Sequence, residues 1–295
     1  MPAVKKTGAS AYRKPAAGSM VFFPSRGEDC FMAPDRLPSI FVSHGAPTLP
    51  IEPGVAAREF LAGLGMQYPD ITAILCISAH WNTQKPSVNA VMHPATIHDF
   101  SGFPSELYDM QYPAPGSPDL AQQVAGLIAA AGIPCDTDTR RGFDHGAWVP
   151  LMLMYPDARF PVVQLCIQGH LDPARHLALG NAIAPLRTRG VLVIGSGGAV
   201  HPLGDPAVAL GEGMPTDAWA VAFNNWLNHA VTAGDRESLV HYRERAPSAI
   251  HAQPYPDHFM PLFVALGAAG PAAKGTIIHQ SWYWGNLGMG AYEFR

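Results

Sequence analysis

The stretch Gly190–His201, GVLVIGSGGAVH, decides the fold. Its first half is a short, nearly unbroken run of Val, Leu and Ile bounded by glycine, the pattern of a strand covered on both faces. Its second half is rich in glycine and ends on a histidine. Working outward, Phe160–Ile167 (FPVVQLCI) and Ile71–Ser78 (ITAILCIS) read the same way. Ser39–Val42 (SIFV) and Pro86–Val91 (PSVNAV) are shorter runs of the same kind. Between them lie helical patterns at Val55–Leu64, Pro118–Ala131, Ala174–Thr188 and Asp217–Ala233. The second opens on Ser117-Pro118-Asp119, a capping serine followed by proline at the first helical position. Strands alternating with helices predict an α/β fold with a mostly parallel central sheet flanked by helices. One domain over 37–295 is the simplest division.

The chain has 295 residues, 48% of them hydrophobic and 14% charged, enough for a sizeable core. A net charge of −4 argues against nucleic acid as the main partner. No apolar run approaches the roughly 18 residues of a membrane span, and the first twenty residues have no secretory apolar segment. A cytoplasmic enzyme is expected. Residues 1–36 are locally basic and rich in Ala, Gly, Pro and Ser, which predicts a disordered leader, with Met20 and Met32 as alternative starts. The four cysteines form no CxxC pair, so no zinc ribbon or disulfide framework is expected.

Thirteen histidines are many for this length, and their places matter more than their number. Open α/β sheets put their sites just beyond the carboxyl ends of the strands. SIFV runs into Ser43-His44-Gly45, AILCIS into Ala79-His80-Trp81, and GVLVIG into Ser196-Gly197-Gly198-Ala199-Val200-His201. Three strands thus deliver His44, His80 and His201 to one edge. Neutral imidazole is the commonest metal ligand, and this convergence points to a shared metal. A single strand-end histidine would read as structural. The glycines at 45, 195, 197 and 198 are expected to let backbone approach a ligand closely. His145, in Asp144-His145-Gly146-Ala147-Trp148 before an apolar helix, reads as an exposed acid/base candidate, with Asp144 the neighbour placed to hold its tautomer. His258, in Tyr255-Pro256-Asp257-His258-Phe259-Met260-Pro261, needs tertiary contact to join it. The long aromatic segment His93–Pro118 is expected to wall the pocket, with Phe100, Phe103 or Tyr108 near the substrate and His98 a further candidate. The other histidines read as surface or structural.

Six motifs in this order, SHGAP, ISAHW, HDFSGFP, DHGAWVPL, IGSGGAVH and HFMPLFVALGAAG, resemble the class III extradiol aromatic ring-opening dioxygenases of the LigB-like superfamily. The nearest branch is that of the DOPA 4,5-dioxygenases, and the likeness runs from Ser39 to the C-terminus. It implies that one divalent metal is held by His44, His80, His201 and His258, with His201 either a permanent ligand or chiefly a base. It implies that His145 stands beside the substrate as a second-sphere acid/base group that does not bind metal. The chemistry implied is insertion of both atoms of O₂ into a small-molecule catechol, DOPA or a relative. Fe(II) is the catalytic metal expected, and Zn(II) suits the same ligands. GSGGAVHPL departs from the branch's usual GSGSATHNL without touching a proposed ligand. A DOPA carboxylate would need a cation, for which Lys85, Arg140 and Arg141 are near only in sequence. The rival readings are a zinc-dependent hydrolase using the same histidines and a non-catalytic binding protein on this fold.

Overall fold

The computed structural model describes residues 36–203 and 215–295, so the leader expected over 1–36 lies, save Arg36, outside the described residues. The strands are β1 (Ser39–Ser43), β2 (Ala73–Asn82), β3 (Ser87–Asn89), β4 (Asp136–Asp138), β5 (Val162–Ile167), β6 (Val191–Gly197), β7 (Gly275–His279), β8 (Trp282–Tyr283), β9 (Leu287–Gly288) and β10 (Ala291–Phe294). Eight of them form one sheet in the order β4-β3-β5-β2-β6-β1-β10-β7, and β8 and β9 pair separately. The centre, β5-β2-β6-β1, is parallel throughout. At the edges, β3 on β5, β10 on β1 and β7 on β10 are antiparallel.

The apolar runs are continuous because alternate residues serve different cores. Ile74 and Cys76 of β2 enter one cluster, and Leu75 and Ile77 enter the other. The longer helices are α1 (Ala56–Leu64), α2 (Pro118–Ala130), α3 (His145–Met154), α4 (Pro173–Ile183), α5 (Ala218–Ala233) and α6 (Met260–Ala269). The sheet face carrying Ile74 shares its cluster with Leu61 of α1 and Leu151 of α3. The opposite face shares its cluster with Val124 of α2, Leu179 of α4, Phe223 of α5 and Phe263 of α6. Every residue of α6 is buried, so this helix has no polar side to signal its orientation.

Two boundaries differ from the sequence reading for identifiable reasons. The pattern at Ala174–Thr188 divides into α4 and a 3₁₀ segment, Ala184–Arg189. Pro185 lacks the N–H and clashes with the carbonyl four residues back, which ends the α-helix. β2 does not stop at Ser78 but continues to Asn82, so His80 sits in the strand and not after it. The C-terminal strands β7 and β10 are an addition to the sheet that the sequence reading did not contain.

Candidate metal centre

β6 lies between β2 and β1 with Ser78 level with Ser196 and Ser43 level with Gly197. That register brings the carboxyl ends of three strands together and places His44 one residue beyond β1. His44 donates its backbone N–H to Gly197 O at 3.0 Å. Gly45 takes φ +69°, and a Cβ there would meet Met289 at 3.0 Å, so the turn after His44 requires glycine. Two glycines of GSGG are needed for packing. A Cβ on Gly197 would stand 2.1 Å from the His258 carbonyl, and one on Gly195 would stand 2.3 Å from that of Pro261. They make room for the start of α6, and Gly198 N–H binds His258 O at 2.9 Å. This is how His258, remote in sequence, reaches the strand ends.

Two ring nitrogens approach that of His80 there. His80 Nε2 lies 3.0 Å from His44 Nε2 and 3.2 Å from His258 Nε2. On His44 the opposite nitrogen, Nδ1, is 3.0 Å from Ser196 Oγ. Ser196 donates its own proton to the Gly146 carbonyl. Its oxygen therefore accepts from His44 Nδ1–H, and the Nε2 lone pair of His44 is left facing its neighbours. On His258, Nδ1 stands 3.2 Å from Asp257 Oδ1, an acceptor that fixes the same tautomer. On His80, Nδ1 is 3.7 Å from Asp99 Oδ2. Two lone pairs about 3 Å apart repel unless a cation or proton lies between them. Donors at about 2.1 Å from a shared ion, separated by 3.0 and 3.2 Å, subtend about 90–100° at it. Among the described residues, His44, His80 and His145 each offer a ligand atom within 4.8 Å of the others, a donor set that fits a divalent metal, and His258 Nε2 stands beside that of His80.

His44 is buried, and burial, followed by the neighbouring His258, His145 and His201, holds its imidazole well below the ordinary range. Burial, then His145, His258, His44 and His201, does the same to His80. Burial, then His258, lowers His201. Neutral rings are the form that binds metal.

His145 and His201 join the group differently. His145 is the first residue of α3 and is buried, not exposed as expected. Its ring centroid is 3.8 Å from that of His80, and its ligand atom lies within 4.8 Å of those of His44 and His80. Nδ1 of His145 is 3.0 Å from Asp99 Oδ1 yet out of line for a hydrogen bond, while its backbone N–H donates to the same oxygen at 2.9 Å. The carboxylate beside His145 is thus Asp99, not Asp144. Asp144 faces away, accepting from Ser78 Oγ at 2.6 Å, from Arg141 Nη2 at 2.8 Å and from Gln164. Asp99 stands in the HDFSGFP motif, and that motif was the only signal for it. His201 lies flat on His258, with ring centroids 3.6 Å apart at 12°. Its ring nitrogens make no hydrogen bond to the other histidines among the described residues.

His80, His145, His201 and His258 open onto a cavity of about 420 Å³. Phe100 and Phe103, from the long aromatic segment, form one wall and Trp284, with Leu287, another. Tyr108 packs on Phe100 instead of lining the cavity, with ring centroids 5.2 Å apart. His98 is held back by Met110 O at 3.0 Å. Lys85 pairs with Asp136, and Arg141 with Asp144, away from the cavity. Among the described residues, no helix is long and apolar enough to cross a membrane.

A mixed α/β sheet with histidines clustered beyond its parallel strands, beside an aromatic pocket, defines a metal-dependent enzyme acting on a small molecule. Residues 56–295 match the family described as the catalytic LigB subunit of aromatic ring-opening dioxygenase, and the chain belongs to that family. It is 47% identical over 262 residues to a 4,5-DOPA dioxygenase extradiol of Beta vulgaris, covering 87% of this chain and 96% of that protein. It is 38% identical over 265 residues to one from Escherichia coli (strain K12), covering 89% and 96%. A crystal structure of an uncharacterized Escherichia coli K12 protein superposes with a TM-score of 0.71 at 34% identity, covering 88% of this chain and 99% of that one. The chain is an extradiol aromatic ring-opening dioxygenase, and O₂ is its co-substrate.

Proposed function

We propose that this enzyme cleaves a catechol beside its diol, inserting both atoms of O₂, at one metal held by Nε2 of His44, His80 and His258. The observation that carries the reading is the approach of His80 Nε2 to the Nε2 atoms of His44 and His258, at 3.0 and 3.2 Å. Ser196 and Asp257 hold the far nitrogens of two of those rings as donors. When bound, the metal would acidify the catechol hydroxyls and supply the redox chemistry with O₂. Fe(II) is the metal that suits oxygenase chemistry, and Zn(II) fits the same nitrogens.

His145 is the acid/base group on this reading. Asp99 lies against its Nδ1, which leaves Nε2 to take a catechol proton and return it as negative charge develops on oxygen. His201 acts from its place on the His258 face, as a base or as an added ligand on ring reorientation. A specific observation favours a second arrangement, with His145 as a ligand, because its ligand atom falls in the same cluster as those of His44 and His80. The catalytic domain is proposed as 37–295 and its compartment as the cytoplasm. The test is anaerobic loading with Fe(II) or Zn(II), followed by O₂ and a catechol. Ring-opened product should form with Fe(II) and not with Zn(II), and product with neither metal overturns the reading.

A further inference from the structure

The hairpin beside the pocket holds a side chain in a backbone conformation that side chains avoid. β8 and β9 pair Tyr283 with Leu287, and between them Trp284 and Gly285 take φ +48° and +75°. Successive left-handed residues belong to Asn-Gly and Gly-Gly turns, because a Cβ there crowds its own backbone. Among the described residues, only Ala158 and Ser248 share positive φ with Trp284 outside glycine. A bulky residue stays in this region only where its surroundings over-determine it.

The surroundings of Trp284 do so from both flanks. Tyr283 is buried, and its hydroxyl donates to Glu52 Oε2 at 2.6 Å and accepts from Thr48 Oγ1 at 3.0 Å. On the other side Thr216 Oγ1 donates to the Gly285 carbonyl at 2.9 Å. Asn286, fully buried, accepts from the Asp217 N–H at 2.8 Å and donates to Asp217 Oδ2 at 3.0 Å. Further on, Gly288 donates to the carbonyl of Val200, the residue before His201, at 2.9 Å. These bonds fix the backbone, and none of them engages the indole. The ring is half-buried, backed by Tyr283 with centroids 4.5 Å apart, and it lines the cavity with Phe100 and Phe103.

We propose that, granted the catechol-cleaving reading above, Trp284 is a substrate-binding residue: its indole is the surface on which the aromatic ring of the catechol packs, and the strained turn presents it. An aromatic ring that meets an indole already held in place gains apolar burial and ring–ring attraction, without the entropy cost of ordering its partner. The strain is borne by the fold and held by Glu52, Thr48, Thr216 and Asp217, so substrate binding does not have to supply it.

The experiment compares the parent with Trp284→Phe, Trp284→Ala and Trp284→Gly, each as the full chain. Kd for 4-ethylcatechol is measured by calorimetry on Zn(II)-loaded protein, and kcat/KM on Fe(II)-loaded protein. Kd should rise at least about tenfold in the alanine and glycine variants, and the phenylalanine variant, which keeps an aromatic face, should recover most of that loss. Affinity for Zn(II) against a chelator should stay within about threefold of the parent in all three, because the indole holds the substrate and not the histidines. Melting temperatures read the turn: both small residues lose the indole, yet glycine should melt above alanine, the reverse of their order at an ordinary position. A smaller rise in Kd for Trp284→Gly, or a Trp284→Phe no better than Trp284→Gly, overturns the inference. Metal affinity lost in step with catechol affinity overturns it too, since Trp284 would then act by supporting the metal centre, and alanine melting above glycine overturns the strained turn. If no catechol is opened by Fe(II)-loaded parent, the functional reading fails, while the Kd order still decides the role of Trp284. A parent that binds no catechol overturns both.

Discussion

Replacing Ser196 by alanine tests whether the tautomer of His44 is set from behind. Ser196 is fully buried, and its hydroxyl is the middle of a relay from His44 Nδ1–H to the Gly146 carbonyl. The substitution strands a donor on His44 and an acceptor on Gly146, both buried. Each costs about 1–3 kcal/mol of stability, so metal-free protein should unfold at a visibly lower temperature. Freed of Ser196, His44 can place its proton on Nε2, where it blocks a metal. Loss of such a supporting hydrogen bond lowers metal affinity by about 10- to 100-fold, or about 1.4–2.7 kcal/mol. Competition for Zn(II) against a chromophoric chelator, with parent and variant side by side, reads this directly. A folded Ser196→Ala protein whose Kd stays within about threefold of the parent would refute the relay as the device that presents His44.

Other outcomes follow from the same geometry. His145→Gln should keep its metal and lose ring cleavage by about 10²–10⁴-fold, and metal lost in step with activity would make His145 a ligand. Gly146→Ala should weaken metal binding, measured by the same competition, because its Cβ would lie 2.4 Å from Ser78 Oγ and 2.9 Å from His80 Cδ2. His201→Ala should lower kcat more than it raises KM, and unchanged turnover in metal-replete enzyme would remove His201 from the chemistry. The pKa values of His44, His80 and His201 are lowered on folding. The unfolded chain therefore takes up protons first as pH drops through about 6.5. The melting temperature of metal-free protein should fall between pH 7 and pH 5, and a flat profile would contradict neutral buried rings.

The sheet centre was legible because β2, β5 and β6 are buried on both faces and their sequences are unbroken runs of Val, Leu and Ile. The edge was not. β7 is five residues and β10 four, too short for a period-two signal to stand out from turns. His44 and His201 could be placed from strand ends, because topology fixes where those ends lie. His258 could not be placed from spacing, since its position depends on Gly195 and Gly197 admitting the start of α6. Asp99 was hidden for a similar reason. It is 46 residues from His145, and a neighbour in the chain, Asp144, was the more obvious acid.

The central claim is that one histidine-held metal directs both atoms of O₂ into a catechol ring. Mass spectrometry of the product formed by Fe(II)-loaded enzyme from 4-ethylcatechol under isotopically heavy O₂, quenched early, tests it most directly. The account predicts a ring-opened product carrying both heavy atoms, formed with one O₂ consumed per catechol. A quinone with hydrogen peroxide, or a product with one heavy atom and the other drawn from water before any exchange, would contradict it.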